Sequence, residues 1–320
     1  MTPVKRWSRA VLAVGAALTL ATAALWAYAG PYGLNVLVRH GGTYWLRVSA
    51  SSQRLSPSMR RALAKGPAAV PGAFEWRPIG QGFDVAELPA LVDNKEVDRI
   101  LLTRIDPARF RFEVRSAPAG DKGLDQWMAA LGAALVVNGS YFSRSGKPDT
   151  PVVSDGTLLG PQDYDAKAGA FVSTSSFTGI RDLAHEDWKQ ALQGADNAMV
   201  SYPLLLADGI NRVTRPSRWL ANRSFVGHDG AGRIIVGTTT DGFFSLDRLA
   251  RFLLDSPLGL KIALNLDGGP VACQGVALNG YQRKTYGRWE MQVEGDDALL
   301  LLSWPYGTIA MPVVLAVFPK

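Results

Sequence analysis

The chain has 320 residues and is 47% hydrophobic, which suits a globular protein with a sizeable core and excludes disorder over most of its length. Its net charge of +6 comes from the N-terminal arm, because residues 1–74 contain nine Lys and Arg and no acidic residue. The remainder has 25 basic and 28 acidic residues and is slightly acidic. This distribution argues against nucleic-acid binding by the main domain.

The N-terminus has the pattern of an export or anchoring signal. A basic cluster at residues 5–9 precedes an uncharged stretch, residues 10–29, which Gly30-Pro31 then interrupts. Since about twenty apolar residues span a bilayer core, we expect residues 1–38 to be an uncleaved membrane anchor, with the main domain in the periplasm or outside the cell. Ala27-Tyr28-Ala29 offers a small-x-small cleavage site, so a cleaved signal peptide is the alternative.

Residues 39–75 are predicted to form a basic juxtamembrane linker, because they mix Arg, Ser, Pro, Gly and Ala. Within this linker, Ser56-Pro57 and the basic residues that follow predict a short helix with Ser56 as its N-cap. Two roles are open for this helix. It could lie on anionic lipid head groups, or it could belong to a solvated spacer.

Residues 76–320 predict a single α+β domain, rich in strands, in which a few helices cover a mostly antiparallel sheet. Short apolar runs alternate with turn dipeptides, whereas helical patterns occur only at residues 123–133 and 245–257. The clearest strand predictions are residues 99–105, 110–116, 134–138, 233–239 and 312–318.

Asp-Gly and Asn-Gly dipeptides follow many of the apolar runs. Such pairs favour tight turns, because Asp and Asn tolerate the left-handed conformation and Gly supplies positive φ. Two of them have unusual surroundings. Asn138-Gly139 precedes the aromatic residues Tyr141 and Phe142, and Asp267 precedes Gly268-Gly269, where the backbone can approach a ligand closely. Polar groups beside glycines at strand ends suit the binding of a sugar or a phosphate.

These segments and their neighbours resemble, in the same order, the sequence elements of the phosphodiester glycosidase family. The resemblance covers residues 138–285, and Pro270-Val271 and Ser140-Tyr141 depart from the family pattern, which often has Gly-Ser and Gly-Phe there. The segment NGSYF is similar to the family's Asn-Gly-Gly-Phe-Phe element, and PVVSDG is similar to the strand pair that follows that element. The segment SYPLLLADG is similar to the Pro-Leu-Leu element, and RSFVGHDGAGRIIVGTTTDG is similar to the Arg-Thr strand region. The last segment, LNLDGGPVA, is similar to Leu-Asp-Gly-Gly-Gly-Ser-Ser.

The resemblance implies an α+β domain that cleaves, outside the cytoplasm, the bond between a sugar anomeric carbon and a phosphodiester. We therefore expect an exported or membrane-anchored hydrolase that acts on a saccharide or glycan phosphodiester, in surface polysaccharide, such as exopolysaccharide, or glycan metabolism. The alternative is a non-catalytic envelope protein that binds saccharide on the same fold. The departure at Pro270-Val271 motivates this alternative.

The chemistry of this reaction points to particular residues. A phosphate leaving group needs little proton donation, because the second pKa of a phosphate monoester is about 6, but its charge must be held, which suits Arg223. Glycosyl transfer also needs a carboxylate, for which Asp267 is the first choice, Asp241 the second and Asp155 the third. The expected substrate-binding residues are Asn138, Gly139, Tyr141, Phe142, Asp155, Gly268 and Gly269. Turn, capping or core-packing roles are the alternatives for Asp267, Asn138 and the two aromatic residues. An outward-facing position at the surface is the alternative for Arg223.

Other catalytic classes have little support in the sequence. The chain has three His residues, one of them in the arm, and it lacks both a Gly-x-Ser-x-Gly element and a His-Glu-x-x-His element. We therefore expect no cofactor, with a divalent cation held by oxygens of Asp241 and Asp267 as an open alternative. Cys273 is the only cysteine, which excludes an intrachain disulfide, and its apolar surroundings predict a small buried hydrophobe.

Overall fold

The computed structural model describes residues 3–29, 45–64, 68–117, 119, 122–143, 145–294, 299–303 and 309–320. The chain divides into two compact units, Met1–Tyr44 and Trp45–Lys320. In the first unit, helix α1 spans Pro3–Ala29. None of the helices in the described ranges combines the length and the apolar character needed to cross a membrane. The membrane anchor expected for residues 1–38 stays a prediction, and Gly30-Pro31 lies outside the described residues.

The second unit consists mainly of short strands. Its helices are α2 (Pro57–Leu63), α3 (Leu124–Leu131), α4 (Trp188–Ala191) and α5 (Leu246–Asp255), and a short 3₁₀ helix spans Gly269–Val271. Its strands are β1 (Leu46–Val48), β2 (Val70–Pro71), β3 (Arg77–Gly80), β4 (Phe83–Val92), β5 (Lys95–Ile105), β6 (Phe110–Ser116), β7 (Leu135–Asn138), β8 (Val152–Ser154), β9 (Thr157–Leu159), β10 (Gly169–Ser173), β11 (Thr178–Asp182), β12 (Asn197–Ser201), β13 (Leu204–Ala207), β14 (Ile210–Asn211), β15 (Trp219–Ala221), β16 (Ser224–Asp229), β17 (Ile234–Thr239), β18 (Leu260–Asn265), β19 (Gln274–Leu278), β20 (Tyr281–Thr285), β21 (Trp289–Val293), β22 (Leu299–Ser303) and β23 (Val313–Pro319).

The described strands form four antiparallel sheets. The largest has the order β14-β13-β18-β16-β17-β5-β4-β2, with β3 paired to β4. Two five-stranded sheets have the orders β11-β10-β12-β8-β9 and β20-β19-β7-β23-β6, and the fourth sheet is β1-β22-β21-β15. The prediction of a single β-rich domain with mostly antiparallel sheet and few helices is confirmed, and the two predicted helical patterns correspond to α3 and α5.

The nine-stranded sheet is buried on both of its faces. In β17, Ile234 and Val236 belong to the core shared with the five-stranded sheets, whereas Ile235 belongs to the core beneath α2 and α5. Successive strand residues face opposite sides of a sheet, so a strand covered on both sides can carry apolar residues at consecutive positions. This arrangement explains the three consecutive apolar residues, 234–236, with which β17 begins.

Part of the predicted linker belongs to the folded unit rather than to a solvated spacer. Met59 and Ala62 of α2, together with Leu55, are buried in the core that also contains α5. Ser56 caps the helix as predicted, because its Oγ accepts a hydrogen bond of 3.1 Å from Met59 N. The buried residues are three positions apart on α2, so its basic residues lie on the remaining faces of an amphipathic helix.

Three of the Asp-Gly and Asn-Gly dipeptides form the tight turns that such pairs favour. Asp155-Gly156, Asp208-Gly209 and Asn279-Gly280 have positive φ at both residues and connect adjacent strands, as tight hairpins require. Asp267-Gly268 differs, because Gly268 has a φ of −107° and the chain continues into the 3₁₀ helix. Asp267 is therefore not half of a hairpin turn.

Candidate active site

The candidate site lies where the ends of β7 and β18 meet. Asn138, the last residue of β7, donates from Nδ2 to the backbone oxygen of Asp267 at 2.8 Å. Asp267 N in turn donates to Gly139 O at 3.1 Å. Gly139 is packed so closely that a Cβ would lie 2.6 Å from Val313 Cγ1. These contacts fix the backbone of Asp267 at the junction between a five-stranded sheet and the nine-stranded sheet.

The side chain of Asp267 is partly buried beside other charged groups. Its Oδ1 accepts a hydrogen bond of 2.8 Å from Gly268 N. Burial raises the pKa of Asp267 to about 8, and the negative charge of Glu290 acts in the same direction, whereas the Gly268 N–H and Arg223 oppose the shift. The Asp267 carboxyl therefore titrates near neutral pH, in the range expected of a group that exchanges a proton during catalysis.

Arg223 supplies the positive charge of the site and is only 6% exposed. Its Nη2 donates to Trp219 O at 2.8 Å, and its Nε donates to Phe244 O at 3.3 Å. Burial lowers the pKa of Arg223, while the charges of Tyr141, Glu290 and Asp267 oppose this shift. Because an arginine stays protonated in proteins, the site holds a fixed cation whose orientation is set by two backbone carbonyls.

Glu290, on β21, is a second carboxyl group at this site, and no sequence motif indicated it. Burial raises its pKa, and the charge of Arg223 opposes the shift. Glu290 lies beyond the last motif of the resemblance, and its strand pattern is unremarkable. The sequence feature that could have indicated Glu290 is an acidic residue flanked by two hydrophobic residues, Trp289 and Met291. In the structure, Glu290 is only partly exposed.

The two glycines after Asp267 make room for these two charged side chains. A Cβ on Gly268 would lie 3.0 Å from Arg223 Nη1, and a Cβ on Gly269 would lie 2.7 Å from Glu290 Oε2. Gly269 also has a φ of +70°, which L-residues rarely adopt. The double glycine therefore allows the Asp267 turn to approach both Arg223 and Glu290.

We expect Gly269→Ala to lower catalytic activity about 10²-fold, because the added methyl displaces Glu290 or the Asp267 turn, and a displacement of about 1 Å can have that effect. Gly209→Ala is the matched control. Gly209 has a φ of +71° but no atom within 4 Å of an added Cβ, so it incurs the same backbone strain away from the site. Equal activity in the two variants would contradict the role assigned to the Gly269–Glu290 contact.

An aromatic pair lies beside the charged groups. The rings of Tyr141 and Tyr202 are stacked with centroids 4.2 Å apart, and Tyr141 Oη donates to Tyr202 O at 2.8 Å. Asn265 Nδ2 donates to Tyr141 Oη at 2.9 Å. Burial raises the pKa of both tyrosines, and the charge of Asp267 adds to the shift in each. Tyr202, which the motifs did not single out as a site residue, is 45% exposed and offers an aromatic face at the site.

Three of the residues predicted for the site make other contacts. Asp241 Oδ1 accepts from Ser56 Oγ at 2.8 Å, and Asp241 N donates to the buried carboxylate of Asp98 at 2.9 Å. Asp155 pairs with Arg115 at the exposed hairpin between β8 and β9. Phe142 forms a backbone bridge to Pro148 within its own loop.

The structure therefore groups Asn138, Gly139, Tyr141, Arg223 and the Asp267 turn, and it places Asp241 and Asp155 in other contacts. The divalent cation between Asp241 and Asp267 stays an open prediction. Within the described ranges, no group of three His, Cys, Asp or Glu side chains is placed to hold a metal ion.

Cys273 has the buried position that its apolar surroundings predicted. Its Sγ lies 3.5 Å from Pro270 O and accepts from Gly287 N at 3.4 Å. Burial raises the pKa of this thiol to about 12, so the thiolate needed for nucleophilic attack is scarce at neutral pH. The residue packs the base of the 3₁₀ helix that follows Asp267.

Comparison with known proteins relates this geometry to a family. Residues 131–280 match the phosphodiester glycosidase family. The matched segment includes Asn138, Arg223 and Asp267, and the resemblance predicted from the motifs is confirmed. The phosphodiester glycosidase match supports a hydrolase of the glycosidase class. Glu290 lies ten residues beyond the end of the matched segment.

Solved structures share the fold of this chain. The zebrafish N-acetylglucosamine-1-phosphodiester alpha-N-acetylglucosaminidase catalytic domain, auto-inhibited by its pro-peptide, is 17% identical, with 85% of this chain and 95% of that chain covered and a TM-score of 0.56. A hypothetical protein from Synechocystis is 14% identical, with 78% and 64% covered and a TM-score of 0.50. No curated protein matches the sequence. At these identities the structural likeness shows the fold.

The raised pKa of Asp267 predicts a pH-dependent cost to stability. The group holds its proton up to about pH 8 in the folded protein but ionises near its ordinary pKa of 3.8 when unfolded, so its contribution to stability is complete below about pH 4 and is lost as the pH rises through 8. We expect the melting temperature of Asp267→Asn, relative to the unmodified protein, to increase between pH 5 and pH 9. Asp208→Asn, at an exposed hairpin, controls for the loss of a charge. A constant difference across this range would contradict the shift.

Proposed function

We propose that the chain is a glycosidase that hydrolyses the bond between a sugar anomeric carbon and a phosphodiester. The observation that carries this proposal is the cluster formed by Asp267, Arg223 and Glu290 at the junction of three sheets. A buried guanidinium beside two partly buried carboxyl groups provides the two kinds of group that the reaction needs, an anion-binding cation and a pair of acids. The family match supports the same reaction class.

Arg223 holds the phosphate in this proposal. Its Nε and Nη2 are bonded to backbone carbonyls, while Nη1 faces the Gly268 turn. The charge that develops on the leaving phosphate is therefore met by a cation that is already oriented and need not reorganise during the reaction. Burial strengthens this interaction, because the surroundings screen it less than bulk water does.

Asp267 acts as the general base in this proposal. The departing phosphate needs little protonation, so the remaining proton transfer is the removal of a proton from the attacking water. A base is most effective when its pKa lies near the operating pH, and the Asp267 value of about 8 meets that condition. The Asp267 carboxylate accepts the proton, the water oxygen bonds to the anomeric carbon, and the bond from that carbon to the phosphate oxygen breaks.

Glu290 and the tyrosine pair complete the proposed site. Ionised Glu290 stabilises the positive charge that builds up on the sugar ring in the transition state, as a carboxylate does in glycoside hydrolysis. The exposed face of Tyr202 suits stacking against the apolar face of a pyranose, while Tyr141 behind it fixes the ring orientation. The substrate class is accordingly a saccharide with a phosphodiester at its anomeric carbon.

The direct test is an assay of the full chain with synthetic sugar-1-phosphodiesters that differ in the sugar. We expect release of free sugar together with one equivalent of phosphate monoester. Saturable binding of these compounds without turnover would overturn the proposal in favour of a non-catalytic saccharide-binding envelope protein. Addition of chelator to an active preparation tests the cofactor expectation, and unchanged activity would agree with hydrolysis that uses side chains alone.

We also propose that the chain acts outside the cytoplasm. This proposal rests on the basic cluster at residues 5–9 and the uncharged stretch at residues 10–29 that follows it. A periplasmic reporter fused after Lys320 should be active, and a cytoplasmic reporter at the same position should not. Removal of residues 1–29 should reverse the two results, and activity of the cytoplasmic reporter on the full chain would contradict export.

A further inference from the structure

Asn222, which directly precedes Arg223, is completely buried and bonds to three separate segments of the chain. Its Oδ1 accepts from Arg288 N and from Trp289 N, both at 2.9 Å. Its Nδ2 donates to Thr239 O at 3.1 Å. Its backbone oxygen accepts from Gly269 N at 2.9 Å, and its backbone nitrogen donates to Trp289 O at 3.0 Å. Every polar atom of Asn222 therefore has a partner.

Each of these bonds ends next to a residue of the candidate site. Trp289 directly precedes Glu290, and Gly269 follows Asp267 by two positions. Thr239 Oγ1 accepts from Arg223 N at 2.9 Å, and Thr239 N donates to Arg223 O at 2.8 Å. A single buried residue thus connects the backbone segments that carry both carboxyl groups and the guanidinium.

The strand topology explains why an asparagine is needed here. β15 pairs with β21 up to Ala221, opposite Glu290, and the chain then leaves that sheet to enter β16 of the nine-stranded sheet. Where the pairing stops, the N–H groups of Arg288 and Trp289 lose a backbone partner, and buried N–H groups without a partner are costly. The Asn222 side-chain carbonyl takes the place of the missing strand, and its NH₂ group bonds to the next sheet.

We propose that Asn222 is the positioning residue that sets the separation of Asp267, Arg223 and Glu290, a role that rests on the proposed hydrolysis. Asn222 touches none of the reacting groups and acts through the backbone of its neighbours. Its replacement lets the Gly269 turn and the start of β21 shift relative to Arg223. A shift of about 1 Å in a catalytic group lowers turnover about 10²-fold.

The test compares Asn222→Ala with Asn197→Ala in the full chain. Asn197 is a matched control, because it is also buried and its Oδ1 also accepts from two backbone N–H groups, those of Val114 and Asp155, in another sheet. We expect kcat for a sugar-1-phosphodiester to fall about 10²-fold in Asn222→Ala, with KM changed far less, and to stay near the unmodified value in Asn197→Ala.

A second readout does not depend on turnover. The pKa of the Asp267 carboxyl is measured by ¹³C NMR titration, with Asp267→Asn used to assign the signal. We expect a lower pKa in Asn222→Ala than in the unmodified protein, because separation from Glu290 and access of water both favour the ionised form. If the unmodified protein releases no sugar, the proposed hydrolysis fails, whereas the titration still tests Asn222.

If Asn222→Ala does not fold, Asn222→Asp provides the same measurements. It keeps the acceptor for Arg288 N and Trp289 N but places an oxygen against Thr239 O, so the bond toward the Arg223 segment is lost. We expect a lower kcat and a changed Asp267 titration here too. Values of kcat and Asp267 pKa in a folded Asn222 variant that equal those of Asn197→Ala would overturn the proposal.

Discussion

Asp267→Asn should lower kcat/KM for a sugar-1-phosphodiester about 10²–10⁴-fold, the usual contribution of a positioned general base. Asn keeps the shape of the side chain and can still accept the hydrogen bond from Gly268 N, but it cannot take a proton from water. The fold should persist, because the substitution removes a carboxyl whose burial is unfavourable when it is ionised. Steady-state kinetics with circular dichroism of the same preparation provide the measurement.

The pH profile determines which role Asp267 has. If it is the base, kcat/KM of the unmodified protein rises with pH until Asp267 is ionised, near pH 8, and this rising limb is absent from the residual activity of Asp267→Asn. A falling limb in the same range would instead assign Asp267 as a proton donor. Asp208→Asn, at an exposed hairpin, should have unmodified activity. Undiminished activity in Asp267→Asn would exclude the residue from the mechanism.

Arg223→Lys should lower kcat about 10²–10³-fold on a sugar-1-phosphodiester, comparable to the loss of one donor that stabilises transition-state charge. Lysine retains the positive charge but lacks the planar fork whose Nε and Nη2 bond to Phe244 O and Trp219 O while Nη1 faces the Gly268 turn. The cation therefore loses its fixed orientation toward the phosphate. Steady-state kinetics of the folded variant give the size of the effect.

The choice of substrate separates phosphate binding from general damage. On an aryl glycoside of the same sugar, which has no phosphate, Arg223→Lys should lose far less activity than on the phosphodiester. Arg283→Lys is the matched control, because Arg283 lies on β20 and pairs with Glu87 at the surface. Equal losses on the two substrates would mean that Arg223 supports the fold of the site and does not bind phosphate.

The fold follows from the sequence to a large extent because its determinants are local. Apolar runs bounded by turn dipeptides predicted β5, β6, β7, β17 and β23, and the helical spacing predicted α3 and α5. The core role of α2 was not predicted, since a seven-residue helix rich in basic residues shows its buried face only once Met59 and Ala62 have a partner surface. For short elements, the sheet that packs against them decides between burial and exposure.

The site was predicted only in part. Asn138 and Asp267 stood out because polar residues beside glycines at strand ends form a pattern within a few positions of the chain, and Arg223 stood out because a phosphate needs a cation. Asp241 and Asp155 had the same local pattern as Asp267, and the structure assigns them to a Ser56 contact and to a hairpin. Glu290 had no distinctive local pattern, and Tyr202 lay in a matching segment without being singled out. The two residues join the site through the packing of β21 and of the segment between β12 and β13.

The sequence by itself determined which segments become strands and turns and where the positive charge lies along the chain. It also determined that two glycines follow Asp267 and permit a tight backbone turn there. Only the tertiary structure decided that the two glycines accommodate Arg223 and Glu290, that Asp267 titrates near pH 8, and that Asn222 links the segments around it. The physical reason is the range of the interactions. Backbone preferences act over a few residues, whereas desolvation and charge interactions depend on distances that exist only after the sheets have packed together.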